Sequence, residues 1–317
     1  MDSHRIGSLT VSAVGLGCNN FGWHIDEDTS REVVHAALDA GITHFDTAEL
    51  YGDGESERFL GRTLGSRRED IVLATKFGHR AGNGPTGLAA PDKIRQSVEG
   101  SLQRLGTDRI DLYYLHRPDP ETPIADTLGA LAELAREGKI REIGCSGFNA
   151  DQLREAERVA SEVRFVAVQN EYSLVHRKPE REDADGFEGG GTLEASREAG
   201  VAFVPYFPLK SGLLTGKYRK GDAPPEGSRL SGEEGVFKSK NELLTDENLD
   251  TVEQLIAWAE ARDHTILDLA FAYLLAHKPV ASVIAGATKP SQVRGNVEAA
   301  GWRLTPEDVR EVRVLLA

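Results

Sequence analysis

A chain of 317 residues with 37 Lys and Arg against 51 Asp and Glu has a formal net charge of -14, which excludes a surface built to neutralise nucleic-acid phosphates. It holds no apolar run near the ~20 residues needed to cross a membrane and no basic-then-apolar leader, so a cytoplasmic protein with no membrane or nucleic-acid partner is expected. Cys18 and Cys145 each end an apolar run without a partner at metal-ligand spacing, and read as buried free thiols.

Strand and helix signals alternate from Val11 to Leu315. A Gly7-Ser8 turn between polar-apolar alternations predicts a β-hairpin over His4 to Val11, placed to plug the bottom of a barrel. Short β-branched or apolar runs then predict eight strands: Ala13 to Leu16, Ile42 to Phe45, Ile71 to Thr75, Ile110 to Leu115, Glu142 to Cys145, Phe165 to Val168, Ala202 to Val204 and Ser282 to Ile284. Between them lie amphipathic stretches, including Thr29 to Ala40 capped by Asp28, Pro91 to Leu105, Ile124 to Glu137 closed by Gly138, and Ala150 to Ala160 capped by Asn149. Lys217 to Asn241 breaks the pattern with glycine, proline and charge, and is expected to form a long mobile flap after the seventh strand. Strands each followed by a helix specify an α/β fold, a (β/α)8 TIM barrel. Such barrels run past about 250 residues as one unit, so residues 1–317 are expected to be a single domain.

In a parallel barrel the chemistry gathers where strands end at their carboxyl side. The residues that follow the predicted strands are Asp46, Lys76, His116, Ser146, Gln169 with Asn170, Tyr206, and the segment Gly286-Ala287-Thr288-Lys289. Asp46, Lys76 and His116 lie directly against apolar strand residues, where an isolated charge is costly. Mutual pairing removes that cost. His44 has no second histidine cluster with which to bind a metal, and no G-x-G-x-x-G follows a strand, so neither metal catalysis nor a Rossmann unit is expected.

These positions fall within Phe45-Asp46-Thr47-Ala48-Glu49-Leu50-Tyr51-Gly52, Ala74-Thr75-Lys76, Asp111-Leu112-Tyr113-Tyr114-Leu115-His116, Ile143-Gly144-Cys145-Ser146, Val168-Gln169-Asn170 and Val204-Pro205-Tyr206, followed by Gly212-Leu213-Leu214-Thr215-Gly216-Lys217. Through these motifs, in this order and spacing, the chain resembles the aldo-keto reductase family along almost its whole length. Gln169 to Tyr172 and Gly212 to Tyr218 are similar to its bacterial and channel-β-subunit-like branches. The resemblance implies NADP(H)-dependent hydride transfer between nicotinamide and a carbonyl or alcohol, catalysed by a tetrad of Asp46, Tyr51, Lys76 and His116. In that arrangement the Lys76 ammonium is expected to lower the phenol pKa of Tyr51 from about 10, while Asp46 keeps the lysine charged. His116 is expected to be a second donor to the carbonyl oxygen.

For the cofactor, the resemblance implies Tyr206 as a platform for the nicotinamide, and Ser146 and Gln169, with Asn170 nearby, for its carboxamide. Backbone amides of Leu209, Ser211, Gly212 and Leu214 are expected at the pyrophosphate, with charge from Lys217 and Arg229. Gly286, Thr288, Lys289, Gln292 and Asn296 match the family's adenosine 2′-phosphate and adenine site, and Thr288 and Lys289 favour NADP(H) over NAD(H). Two positions depart from the family: Gly147 stands where Asn often follows the serine, and Gly295 where an acidic residue usually precedes the final asparagine.

Trp23, Phe77, His79, Tyr114 and Phe207, just beyond strand ends, are expected to wall a partly aromatic pocket for a sugar, aldehyde or ketone. Oligomeric state is not legible in one sequence. A second reading is an NADP(H)-binding redox sensor or regulatory subunit with slow turnover, suggested by the channel-subunit branch and opposed by the intact tetrad. A metal-dependent barrel hydrolase is opposed by the tetrad and Tyr206.

Overall fold

The computed structural model describes residues 1–79, 86–181, 190–231 and 240–316. The chain opens with an antiparallel hairpin, β1 (Ser3–Ile6) and β2 (Leu9–Ser12), whose turn is held to the body of the molecule by the Ser8 amide donating to Glu142 Oε1 at 2.6 Å. Parallel strands follow: β3 (Val14–Gly17), β4 (His44–Asp46), β5 (Val72–Phe77), β6 (Ile110–Leu115), β7 (Ile140–Ser146), β8 (Phe165–Glu171), β9 (Ala202–Tyr206) and β10 (Val283–Gly286). They close into a barrel in the order β10-β3-β4-β5-β6-β7-β8-β9, with β10 pairing both β3 and β9.

Helices return the chain on the outside: α1 (Glu27–Asp39), α2 (Glu55–Leu64), α3 (Pro91–Leu105), α4 (Ile124–Arg136), α5 (Ala150–Val159) and α6 (Thr192–Ala199), then α7 (Lys240–Leu243), α8 (Asp246–Glu260) and α9 (Ile266–Leu275) before β10, and α10 (Pro290–Ala299) and α11 (Pro306–Leu315) after it. Local chemistry sets their starts. Asn149 and Gln152 form a reciprocal capping box at α5, and Thr265 with Asp268 and Thr305 with Asp308 do the same at α9 and α11. The cap of α1 is Asp26, which accepts from the Thr29 amide, and not Asp28, which lies inside the first turn. Both acidic residues suit a helix amino end, but only Asp26 has the extended backbone that a cap requires.

Several strands run further towards their carboxyl ends than the apolar pattern predicts. Asp46, Lys76, Ser146 and Gln169 to Glu171 all belong to strands. Their polar side chains interrupt the apolar run while the backbone continues to pair.

Two apolar layers result from the alternation of side chains along each strand. The larger packs outward-facing strand residues such as Leu73, Phe77, Tyr113 and Leu115 against the helices. The smaller fills the barrel with Val72, Ala74, Leu112, Tyr114, Ala167, Val204 and Ile284, and is continuous with Ile6, Leu9 and Val11 of the hairpin. The hairpin thus plugs the bottom of the barrel, and the chemistry is left to the opposite mouth. The segment from Lys217 is a loop after β9, the seventh barrel strand; as far as Ser231 it is tethered by Arg219 to Glu253, by Lys220 to Asp250 and by the Leu230 amide to the Tyr218 hydroxyl. Residues 232–239 of the expected flap lie outside the described residues. No helix among the described residues is long and apolar enough to cross a membrane.

Candidate active site

Neighbouring strand ends bring the four tetrad positions together. Lys76 Nζ donates to Asp46 Oδ2 at 2.6 Å and to the Thr47 carbonyl at 2.8 Å, and lies 3.4 Å from the Tyr51 hydroxyl. The side chains of Lys76 and Asp46 are 1% and 4% exposed, so this ion pair is shielded from water. Tyr51 arrives from the loop after β4, where Gly52 and Asp53 both take left-handed backbone angles and turn the chain into α2. That loop is anchored from below: Thr47 and Ser56 share a hydrogen bond of 2.8 Å, and Ser56 donates to the Cys18 carbonyl. The His116 ring stands edge-on to Tyr51, with centroids 6.0 Å apart.

Burial and charge set the protonation states. Burial alone would pull Lys76 down, but the carboxylate of Asp46 beside it, with Tyr51, holds its ammonium above the usual lysine value. Tyr51 is shifted upward, contrary to the expectation that Lys76 would lower it: burial of the hydroxyl outweighs the opposing pull of the ammonium. The phenol therefore keeps its proton near neutrality, as an acid must. Burial pushes His116 well below the usual histidine value, helped by Lys76, His79 and Arg117, so its imidazole is neutral.

A second group of residues lies along the ends of β7, β8, β9 and β10. Ser146 and Gln169 sit opposite each other in the β7–β8 register, and Gln169 Nε2 donates to Asp46 Oδ1 at 2.8 Å. Gln169 is thereby tied to the tetrad. Tyr206 ends β9, followed by the turn that carries Leu209, Ser211, Gly212 and Leu214. A Cβ at Gly212 would stand 2.8 Å from both Cε and Nζ of Lys217, so the ammonium closes directly over the glycine backbone. From the loop after β9, Arg229 donates to Asn20 Oδ1 at 2.7 Å, and Asn20 in turn donates to the Ala287 carbonyl. This chain of contacts brings Arg229 to the end of β10. There Lys289 precedes α10, and Thr288 is held by its amide and hydroxyl to Gln292 Oε1, while Asn296 is buried on the helix behind. At Gly286 a Cβ would crowd Asn19 and Asn20 at 3.1 Å. Two close approaches to glycine backbone, three cations and a helix amino end fit a dinucleotide carrying an additional phosphate.

Three expected site residues are placed otherwise than expected. Phe77 is fully buried in the helix-facing layer, 4.7 Å from Tyr113, because it follows inward-facing Lys76 by one residue. Tyr114 does point inward, but it is fully buried inside the barrel beside Lys76, its register partner, where its ring occupies the space over Gly144. Asn170 is occupied structurally: it accepts from the Gly147 amide at 2.9 Å and donates to the Phe148 carbonyl at 2.7 Å. Gly147 takes a left-handed φ of 71°, and the Asn149 side chain caps α5 by accepting from the Gln152 amide. Of the remaining wall residues, His79 packs edge-on to His116 at 4.8 Å, Phe207 adjoins Tyr206 at 5.1 Å, and Trp23 stacks on His24 at 4.1 Å with 45% of its surface exposed.

Sequence reasoning missed Asn20 and Arg117. Asn20 lies just past the first barrel strand, in Gly17-Cys18-Asn19-Asn20, where a search of strand ends would have found it. Arg117 directly follows His116, and its charge is felt by Tyr51, His79 and His116 alike. Among the described residues no three His, Cys, Asp or Glu gather as a metal site.

The profile of the Aldo/keto reductase family matches residues 13–317. The chain is 36% identical to the aldo-keto reductase yakc [NADP(+)] of Schizosaccharomyces pombe, over 98% of this chain and 90% of that protein. It is 35% identical to a probable voltage-gated potassium channel subunit beta of Oryza sativa subsp. japonica, over 97% and 94%. Among solved structures, the holo form of an aldo-keto reductase from Bacillus halodurans superposes with a TM-score of 0.78 at 33% identity, covering 99% of this chain and 96% of the other. The closed eight-stranded barrel and the match along nearly the whole length lead to one conclusion: the chain belongs to the aldo/keto reductase family, as an oxidoreductase of carbonyl and alcohol groups.

Proposed function

We propose that the chain interconverts a small carbonyl compound and its alcohol, with Tyr51 giving and taking the proton. The observation that carries this reading is the hydrogen-bonded run from Asp46 through Lys76 towards the Tyr51 hydroxyl, with neutral His116 beside it. NADP(H), when bound, supplies or accepts the hydride at the substrate carbon. Lys217, Arg229 and Lys289, together with the glycine backbone at 212 and 286, would hold its phosphates. The name of the relative yakc supports the phosphorylated form of the cofactor.

In reduction, the Tyr51 O–H bond breaks as its proton passes to the carbonyl oxygen, while the new C–H bond forms at carbon. Negative charge left on the phenol oxygen is stabilised by Lys76, whose own charge is secured by Asp46. The neutral imidazole of His116 donates to the same substrate oxygen and fixes its direction. Because these donors are already in place, they stabilise the transition state more than the ground state. In oxidation the tyrosinate takes the proton back.

Stopped-flow oxidation of bound NADPH by a panel of aldehydes and ketones tests the reading. At least one carbonyl compound is expected to oxidise the bound cofactor in repeated turnovers. NADPH binding without any oxidation would make the chain a sensor, and no binding at all would remove the reading.

A further inference from the structure

Five non-glycine residues among those described have left-handed backbones, and three of them, Phe207 (52°), Lys210 (42°) and Ser211 (56°), lie in the turn after β9. Gly212 continues the run at 89°. A lysine disfavours this conformation because its Cβ crowds the neighbouring carbonyl, so the surrounding structure has to hold it there.

The restraint is visible at Lys210. Its side chain turns inward, 7% exposed, and its ammonium donates to Oε1 of Glu171, which is 16% exposed. Glu171 is the last residue of β8 and lies in register with Tyr206 of β9. The Tyr172 amide bonds to the Tyr206 carbonyl, and His176 Nδ1 stands 3.9 Å from the same carboxylate oxygen. The carboxylate is therefore fixed to the barrel wall, and the ammonium ties the turn to it.

The geometry of the turn depends on that tie. The Lys210 amide bonds back to the Phe207 carbonyl, and the amides of Gly212 and Leu214 both bond to the Leu209 carbonyl. This winding presents the backbone of Gly212 to the Lys217 ammonium.

We propose that Glu171 and Lys210 are positioning residues: their buried ion pair holds the turn after β9 in its left-handed form and so presets it for the dinucleotide phosphates. Removal of the pair weakens cofactor binding and leaves the chemical step alone. The proposal rests on the cofactor reading above, and the test separates the two.

The measurement is NADPH affinity by protein fluorescence quenching, with kcat at saturating NADPH and thermal unfolding alongside. Lys210→Met and Glu171→Gln are each expected to raise the NADPH Kd about tenfold, in keeping with the left-handed penalty, with kcat changed less than about twofold. The double variant is expected to bind no more weakly than either single one, since both remove the same interaction. Lys210→Gly, which takes the left-handed backbone without penalty, is expected to stay within about threefold of the parent. The proposal is overturned if Lys210→Met lowers the melting temperature while its Kd is unchanged, since the pair is then merely structural. It is also overturned if Lys210→Gly binds as weakly as Lys210→Met, since the ammonium then contacts the cofactor itself. A parent protein that shows no NADPH quenching overturns the cofactor reading instead.

Discussion

Beneath Asp46, on the same inward face of β4, His44 is completely buried, and both its ring nitrogens lack partners among the described residues. The Ser282 hydroxyl shares this condition nearby, both groups lying close to the space over Gly15. Burial pushes the His44 pKa down to about 4 from its ordinary value of 6.5, with the opposing charges of Asp46 and Lys76 acting on it in opposite directions. The sign of the consequence is fixed. Below pH 6.5 the unfolded histidine takes up a proton that the folded one refuses, so stability is lost as pH falls from 6.5 towards 4. The full shift corresponds to a loss on the order of 3 kcal/mol. Urea unfolding of the parent and of His44→Phe across that window is expected to show the parent losing stability more steeply; parallel pH profiles would show that His44 is not the titrating group. The same residue scale explains why Tyr51 suits acid chemistry: burial keeps its proton on, and the adjacent ammonium makes its loss tolerable only when a substrate oxygen is there to receive it.

At the level of elements, each functional side chain depends on a strand end whose neighbour leaves it room. β7 shows this most clearly. A Cβ on Gly144 would stand 2.4 Å from the Tyr114 ring of β6, so the glycine permits the tyrosine to fill the barrel beside Lys76. Gly144→Ala is therefore expected to destabilise the fold by about 1–3 kcal/mol, because a close-packed interior has to shift to admit the methyl group. Equilibrium unfolding in urea reads this directly, and an unchanged midpoint would mean that the Tyr114 ring moves without cost. Past the end of β7, Asn170 of β8 pins the Gly147 amide and Phe148 carbonyl, which places Ser146 at the mouth through a neighbouring strand. The turn after β9 is held in the same way by Glu171 of β8. Strand β8 thus supplies Gln169 to the tetrad and two side chains that shape the adjoining loops.

For the whole molecule, the alternation of apolar runs and amphipathic stretches is enough to give the eight-stranded barrel and the hairpin beneath it, because each strand and helix is set by local periodicity. Strand ends were less legible: Lys76 and Gln169 carry charge or polarity inside a paired strand, which a hydrophobic pattern reads as its end. The tetrad could be listed from motifs, yet the direction of the Tyr51 shift could not, since it depends on how deeply the hydroxyl is buried by residues distant in sequence. Phe77 was misplaced by a single step of strand alternation, and Tyr114 by treating an inward direction as access to solvent. Asn20, Glu171 and Lys210 acquire their roles only through partners far along the chain, at Arg229, Ala287 and across β8 and β9. The central claim is that one phenol, braced by a buried ammonium, carries the proton. Substituting Tyr51→Phe and measuring turnover and NADPH affinity on the same preparation tests it: kcat is predicted to fall by about a thousandfold while Kd stays within about twofold, whereas near-parental turnover, or an equal loss of both, would contradict it.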